Sequence, residues 1–252
     1  MDNSPSKTGL SITIPAFNEE HNLDALLSEL CLFMSSQKSL DFEVIVVNDC
    51  STDDTLAVAE KYKNLHKEVR VISNKVNEGF GESLSIGMRH SKFDNLLWLP
   101  GDNEILISSL THYLELIRHN KENIIIGYIL NSHIRSKFRM FLSKVFSCIF
   151  TKSFLLDLEY TNGASIFPRD VYDSINIKTG GFTFQSELHI KTIYSGHDYY
   201  HVGFKIQPRK SGASKALSVK NLKNIAVTFT KLWIEIFIID RQKYSKKGRR
   251  LN

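Results

Sequence analysis

Apolar positions in the first hundred residues come in short blocks, each stopped by polar or turn-forming residues. Residues 10–14 alternate around Ser11 and Thr13 and end at Pro15, which predicts a first strand. Leu23, Leu26, Leu27 and Leu30 recur at helical spacing. Residues 42–47 form a near-continuous β-branched run, as expected of a strand covered on both faces. Ser51 or Thr52 is placed to cap the next helix, with Asp53 and Asp54 in a first turn that favours negative charge. Residues 69–72 read as a third strand, 82–90 as a third helix and 96–99 as a fourth strand closed by Pro100. Strands and helices alternating at this spacing predict a parallel sheet with right-handed crossovers.

Beyond Asn120 the rhythm changes. Residues 124–130 read as another strand, and 132–156 as an apolar helical segment. The charged residues of that segment are Arg135, Lys137, Arg139, Lys144 and Lys152, with no acid until Asp157. Short strands at 164–167 and 201–206 frame a helix over 185–194. Residues 222–239 form a long helical candidate, with Leu222, Ile225, Phe229, Leu232, Trp233 and Ile236 along one stripe. Val227, Ile234, Phe237 and Ile238 leave its other side apolar as well.

A chain of 252 residues with 42% hydrophobic content can bury one sizeable core, so one domain is expected. The expected layout is a polar segment 1–8, an α/β domain 9–217, an amphipathic helix 218–240 and a basic tail 241–252. The net charge of +5 is unevenly spread. The tail holds Arg241, Lys243, Lys246, Lys247, Arg249 and Arg250 without an acid, which suits anionic lipid headgroups, nucleic acid or plain solvation. The apolar helix before it favours a lipid surface, and no nucleic-acid partner is expected. Cys31, Cys50 and Cys148 fit no metal or disulfide pattern, which points to a reducing compartment. Residues 1–8 lack the apolar core of a signal peptide, and no stretch of about 20 residues is free of charge. The expectation is a cytoplasmic protein, peripheral at a membrane.

Three motifs occur in order, each after a strand-length apolar run: Ile14-Pro15-Ala16-Phe17-Asn18-Glu19-Glu20, Val46-Val47-Asn48-Asp49-Cys50-Ser51-Thr52-Asp53 and Leu99-Pro100-Gly101-Asp102-Asn103-Glu104. They set polar side chains at strand C-termini, where open parallel sheets bind ligands. Asp49 could accept hydrogen bonds from a base edge, or simply form a turn. Asn77-Glu78-Gly79-Phe80-Gly81 offers two glycines before a helix, which permit close backbone approach to a ligand or make a structural turn. It lacks the third glycine of a dinucleotide fingerprint, which disfavours a dehydrogenase. Gly181-Phe182-Thr183-Phe184-Gln185-Ser186-Glu187 and Arg209-Lys210-Ser211-Gly212-Ala213-Ser214-Lys215 follow later. Two cations bracketing a hydroxyl-rich loop can hold phosphate oxygens. His21, His133, His189 and His201 show no ligand spacing and read as surface or packing residues.

Together these motifs resemble the family 2 glycosyltransferases over residues 8–217, and most closely the branch that loads sugars onto polyprenyl phosphates, the dolichyl-phosphate mannose synthase type. The resemblance implies a GT-A fold: a Rossmann-like α/β domain with a mostly parallel central sheet flanked by helices. It implies a UDP-, GDP- or dTDP-linked sugar donor, an inverting transfer and Mg²⁺ or Mn²⁺. By residue, it implies donor contacts at Pro15, Ala16, Asn18, Glu19, Asp49, Asn77, Gly79, Gly81, Asn103, Gln185, Arg209 and Lys215. Asp102 would hold the metal as the last acid of the family's Asp-X-Asp, whose first acid is here Pro100. Asn103 and Glu104 would assist at metal or sugar. Glu187 would act at the sugar, as general base if the acceptor were a hydroxyl. Thr161 and Asn162 match the family's acceptor segment, and Arg139 is the candidate for the charge of a lipid phosphate. A saccharide or protein hydroxyl as acceptor, and a binding module without turnover, are the alternatives. The extra apolar helical faces suit a membrane surface, a homo-oligomer or a membrane partner subunit.

Overall fold

The computed structural model describes residues 9–119, 124–181, 183–208 and 219–251. The polar segment 1–8 and the loop bearing Arg209 and Lys215 lie outside these described residues. The first half is a strand–helix alternation: β1 (Gly9–Ala16), α1 (Glu20–Ser35), β2 (Asp41–Asn48), α2 (Thr55–Leu65), β3 (Val69–Ser73), α3 (Phe80–Arg89), β4 (Asn95–Trp98) and α4 (Thr111–His119). The second half adds β5 (Ile124–Ile129), α5 (Lys137–Ser153), β6 (Ser165–Pro168), α6 (Arg169–Ser174), α7 (Phe184–Tyr194), β7 (Tyr199–Phe204), α8 (Val219–Ile234) and β8 (Arg250–Leu251).

These strands make one sheet in the order β3-β2-β1-β4-β6-β5-β7-β8. Neighbours pair parallel except at β6, which runs antiparallel to both β4 and β5. Ala16 stands opposite Asn48 and Asn48 opposite Ser73, so the loops after β1, β2 and β3 leave the sheet at one level. The period of two in β4 divides its side chains between two cores. Leu97 joins the face packed by α1 and α4, with Leu23, Leu27 and Tyr113, while Leu96 and Trp98 join the face packed by α3 and α7, with Leu84, Met88 and Leu188. A third apolar cluster binds α5, α7 and α8 through Phe150, Phe154, Ile190, Leu232 and Ile236. Packed from both sides, every described residue of α7 is buried, its polar ones included.

Two expectations change. The apolar segment 132–156 is a short 3₁₀ turn (Ser132–Ile134) followed by α5, which begins where the Ser136 hydroxyl accepts the Arg139 N–H at 3.3 Å. The basic tail is not a loose extension. Gly248 N–H donates to the Ile193 carbonyl at 2.7 Å, β8 pairs with β7, and Arg250 lies 3.7 Å from Asp157 and 3.8 Å from Glu159. The long C-terminal helix changes its winding at the end, finishing in a π-helical turn, Glu235–Ile239.

His189 is fully buried in a three-ring cluster with Trp98 and Phe167, its centroid 5.9 and 5.8 Å from theirs, which lie 5.6 Å from each other. Its Nδ1–H donates to the Thr161 carbonyl at 2.9 Å and its Nε2 lies 3.0 Å from the Ser165 hydroxyl. Burial pushes its pKa down to about 3. In the unfolded chain a histidine takes up its proton near pH 6.5, so the unfolded state binds more protons below that value. Stability from neutral His189 is therefore complete above pH 6.5 and lost as pH falls toward 3. The urea unfolding free energy should fall between pH 7.5 and pH 5.0, with His189 accounting for about 2 kcal/mol of the loss and His201, whose pKa burial lowers to about 4, for a similar amount. Equal values at the two pH values would show that both histidines protonate without unfolding cost.

Candidate active site

Each loop after β1, β2 and β4 turns on one left-handed residue: Asn18 at φ 56°, Cys50 at φ 59° and Asn103 at φ 52°. Asparagine tolerates this conformation, whereas at Cys50 it costs about 1–2 kcal/mol. Hydrogen bonds lace the loops together. Asn18 N–H donates to Ser51 Oγ at 3.1 Å, and the Asn18 side-chain oxygen accepts the Thr52 N–H at 2.9 Å. Ser51 and Thr52 thus serve the first loop rather than capping a helix. The turn at Cys50 delays α2 until Thr55, where Asp53 accepts the Thr55 N–H at 3.0 Å.

Asp49, 3% exposed, pins a fourth loop. Its carboxylate accepts from Asn74 Nδ2 at 2.9 Å, Glu78 N–H at 2.8 Å and Gly79 N–H at 2.8 Å. Gly79 adopts φ 87°, a conformation that strains any residue with a Cβ. A carboxylate has about four acceptor positions, so Asp49 retains one direction toward a ligand.

The loops enclose a cavity of about 470 Å³ at the point where strand order reverses between β1 and β4, the position where open sheets take ligands. Pro15, Ala16, Glu19, Asp49, Asn77, Gly79, Asp102, Arg139, Asn162 and Gln185 line it, so the structure brings these candidates together around one space. Phe80 and Tyr160 line it from within or beside motifs that singled out their neighbours, and Trp98 and Arg135 line it without a motif to mark them. Their signals in the sequence are faint: Trp98 ends a strand, and Arg135 precedes Arg139 by four residues.

Other candidates are placed elsewhere. Asn18 is spent on the second loop. Gly81 N–H donates to the Gly180 carbonyl at 3.0 Å, and a Cβ there would fall 2.6 Å from that carbonyl, so this glycine serves chain packing. Asn103 is buried outside the cavity lining, its carbonyl accepting from Gln207 at 3.1 Å. Thr161 is buried, and its carbonyl meets His189. Glu187 departs furthest from the expectation. Its carboxylate accepts the N–H groups of Lys178 and Thr179 at 3.0 Å each, takes the Thr179 hydroxyl and pairs with Lys191 at 2.6 Å, outside the cavity lining. Gln185, two residues earlier, does line the cavity. Its amide nitrogen meets the Asn162 carbonyl at 2.9 Å and its oxygen the Trp98 indole N–H at 2.6 Å, in the orientation that satisfies both.

Glu104 also takes an unexpected part. It is 6% exposed and gripped by two guanidiniums: Arg135 at 2.7 Å, and Arg139 at 2.6 and 3.0 Å. Two cations on one anion leave this wall of the cavity with a net positive charge. Opposite charge and hydrogen bonding together make such pairs short and directional.

Asp102 is 7% exposed, and its Oδ1 accepts the Glu104 N–H at 3.1 Å. Gly101 brings this loop against the first, since a Cβ there would lie 3.0 Å from the Pro15 carbonyl. Among the described residues no cluster of three acidic, histidine or cysteine side chains could cage a metal. A divalent ion of the Mg²⁺ type is commonly held by one or two carboxylates and completed by substrate phosphates. Asp102 fits that arrangement, and Asn103 beside it carries a buried side-chain oxygen with no hydrogen-bond partner.

Comparison with known proteins agrees with this geometry. Residues 11–176 match the model of Glycosyl transferase family 2. A dolichyl-phosphate beta-glucosyltransferase of Trichomonas vaginalis is 26% identical over 183 residues, covering 66% of this chain and 54% of that protein. Its counterpart in Drosophila melanogaster is 39% identical over 109 residues, 40% of this chain and 33% of its own. The chain therefore spans about half, or less, of these relatives' length. Among solved structures, glucosyl-3-phosphoglycerate synthase from Mycobacterium tuberculosis, crystallised with Mn²⁺, UDP-glucose and phosphoglyceric acid, superposes with a TM-score of 0.68 at 14% identity, over 90% of this chain and 79% of that one. With the family match running over most of the sheet that carries the cavity, the chain belongs to glycosyl transferase family 2 and has the GT-A fold.

Proposed function

We propose that this enzyme transfers glucose, with inversion, from UDP-glucose to a polyprenyl phosphate at the cytosolic face of a membrane, using Mg²⁺ or Mn²⁺. One observation carries the reading. Helix α5 brings Arg139 to the cavity, while along its exposed side run Phe138, Phe141, Val145 and Ile149, interspersed with Lys137, Lys144 and Lys152. An acceptor that is anionic at its head and apolar along its tail fits both features of that helix. The relatives named for dolichyl-phosphate glucosylation support the acceptor and the sugar, and the UDP-glucose of the solved neighbour supports the donor.

In the proposed reaction an acceptor phosphate oxygen forms the new bond to the anomeric carbon as the bond to the diphosphate breaks, its electrons leaving with UDP. A divalent ion at Asp102 would neutralise the diphosphate as it departs. Asp49 and the Gly79 turn border the nucleotide in this reading, and Gln185, fixed by Trp98 and Asn162, faces the sugar. The Arg135–Arg139 pair attracts the acceptor phosphate. No general base is required, because a phosphate is already anionic. That agrees with the cavity's carboxylates, each already engaged within the protein: Glu19 by Asn22, Asp49 by its loop, Glu104 by two arginines and Asp102 by the Glu104 N–H.

The test supplies UDP-glucose, a polyprenyl phosphate in mixed micelles and Mn²⁺. Equimolar UDP and glucosylated lipid phosphate are expected, and transfer to saccharide hydroxyls with none to the lipid would sink the reading. No helix among the described residues is long and apolar enough to cross a membrane, and α5 offers a surface contact in this reading. Each surface lysine contributes about 1 kcal/mol at an anionic bilayer, so reversing Lys137, Lys144 and Lys152 to glutamate should weaken vesicle binding by about 100-fold or more. Binding that ignores both these changes and salt would assign the apolar stripe to a protein interface instead.

A further inference from the structure

Glu187 and Lys191 stand one turn apart on α7, outside the cavity lining, and form the centre of a buried charge cluster. Lys191 is fully buried, and its ammonium reaches Glu187 at 2.6 Å, Glu235 at 3.0 Å and the Asn176 carbonyl at 2.7 Å. Glu235 opens the π-helical turn after α8 and also pairs with Lys178 at 3.1 Å. Glu187 holds the backbone N–H groups of Lys178 and Thr179. The next residue, Gly180, accepts the Gly81 N–H at 3.0 Å, and Gly81 directly follows Gly79 and Phe80, which line the cavity. Direct contacts therefore run unbroken from the C-terminal helix to the cavity wall: Glu235, Lys191, Glu187, residues 178–180, Gly81 and Gly79.

Buried charge clusters can often be replaced by apolar side chains without loss of stability, so stability alone does not account for this one. What it does fix is the place of a loop that has no strand or helix of its own. We infer that Lys191 and Glu235 are positioning residues for the donor: they hold residues 176–180 against the Gly79–Gly81 turn, so that the seating of the C-terminal helix sets how tightly the nucleotide end of the cavity binds. The donor part rests on the proposed use of UDP-glucose.

Glu235→Gln removes the tie to the C-terminal helix and leaves Glu187, Lys191 and the loop in place. Its amide hydrogen exchange should quicken about tenfold at Gly79, Gly81 and Thr179, since local opening governs exchange there. The UDP-glucose Kd and KM should rise about fivefold or more, with kcat and the acceptor KM within about twofold. The paired change Glu187→Gln with Lys191→Met, neutral overall, should move the same quantities in the same direction. Unchanged exchange at Gly79 and Gly81, or an unchanged donor Kd beside a lowered thermal midpoint, would make the cluster purely structural and overturn the inference. If the paired variant does not fold, the single one decides. A wild-type chain that binds no UDP-glucose would sink the functional reading, while the exchange measurement still settles the coupling.

Discussion

Asp102→Asn should lower transfer by about 10²–10³-fold or more while the thermal midpoint stays within a few degrees of wild type. A divalent ion contributes several kcal/mol of charge stabilisation at a departing diphosphate, and each 1.36 kcal/mol is tenfold in rate. The first acid of the family's pair is Pro100 in this chain and Glu104 of the same motif is held by two arginines, so on the proposed reading Asp102 would carry the protein's share of the ion. Asparagine keeps an oxygen for the Glu104 N–H, the bond Asp102 makes at 3.1 Å, which is why the fold should survive. Initial rates across an Mn²⁺ titration, beside a melting curve, make the measurement. A variant that turns over like wild type would take Asp102, and the ion with it, out of the reaction.

Glu104→Leu should cost about 2–3 kcal/mol of stability and most of the acceptor affinity. Removing one partner of a buried ion pair costs about 3–5 kcal/mol, and access of water through the cavity lowers that figure. The side chains of Arg135 and Arg139 are 11% and 25% exposed, so without the carboxylate two guanidiniums would face each other with their hydrogen bonds unmet. Urea unfolding of this variant, and of the same variant with Arg135→Leu added, gives the decisive comparison. The second change should restore part of the loss. A cost below about 0.5 kcal/mol would place the clamp with ordinary surface ion pairs.

The convergence of Asp49 and Asp102 on one cavity was legible because strand ends in a parallel sheet share an edge, and apolar runs mark the strands. Side-chain direction on a helix was not legible from the motif. Successive residues on α7 turn by about 100°, so Gln185 and Glu187 point some 200° apart. With Gln185 committed to Trp98 and the cavity, Glu187 must face away, toward Lys191 one turn on. A motif that names both as neighbours of the sugar cannot carry this information unless the rotation of the helix is known. Glu104 escapes a sequence reading for another reason: its partners lie 31 and 35 residues later, and nothing local records the pairing. The short β8 within a basic tail has too few residues to show a period, and its two pairs to β7 exist only once the sheet does.

The reversed direction of β6 has a consequence for how such enzymes diversify. Parallel strands present their C-terminal loops to the cavity, but β6 presents its N-terminal loop, so Tyr160 and Asn162 arrive at the same edge from the opposite sense. Residues 130–164, which include α5 and the Arg135–Arg139 pair, therefore leave the sheet from the end of β5 and re-enter at the start of β6. Those strands are neighbours, with Ile126 opposite Ser165, so the two ends of the excursion sit on adjacent strands about three residues out of step, roughly 11 Å apart. An insert with adjoining ends is a cassette. It can be exchanged for one of another length or chemistry without re-threading the sheet, provided the new insert again meets Glu104 of the β4 loop, so on the proposed reading a new acceptor could be acquired by grafting while the old donor is kept.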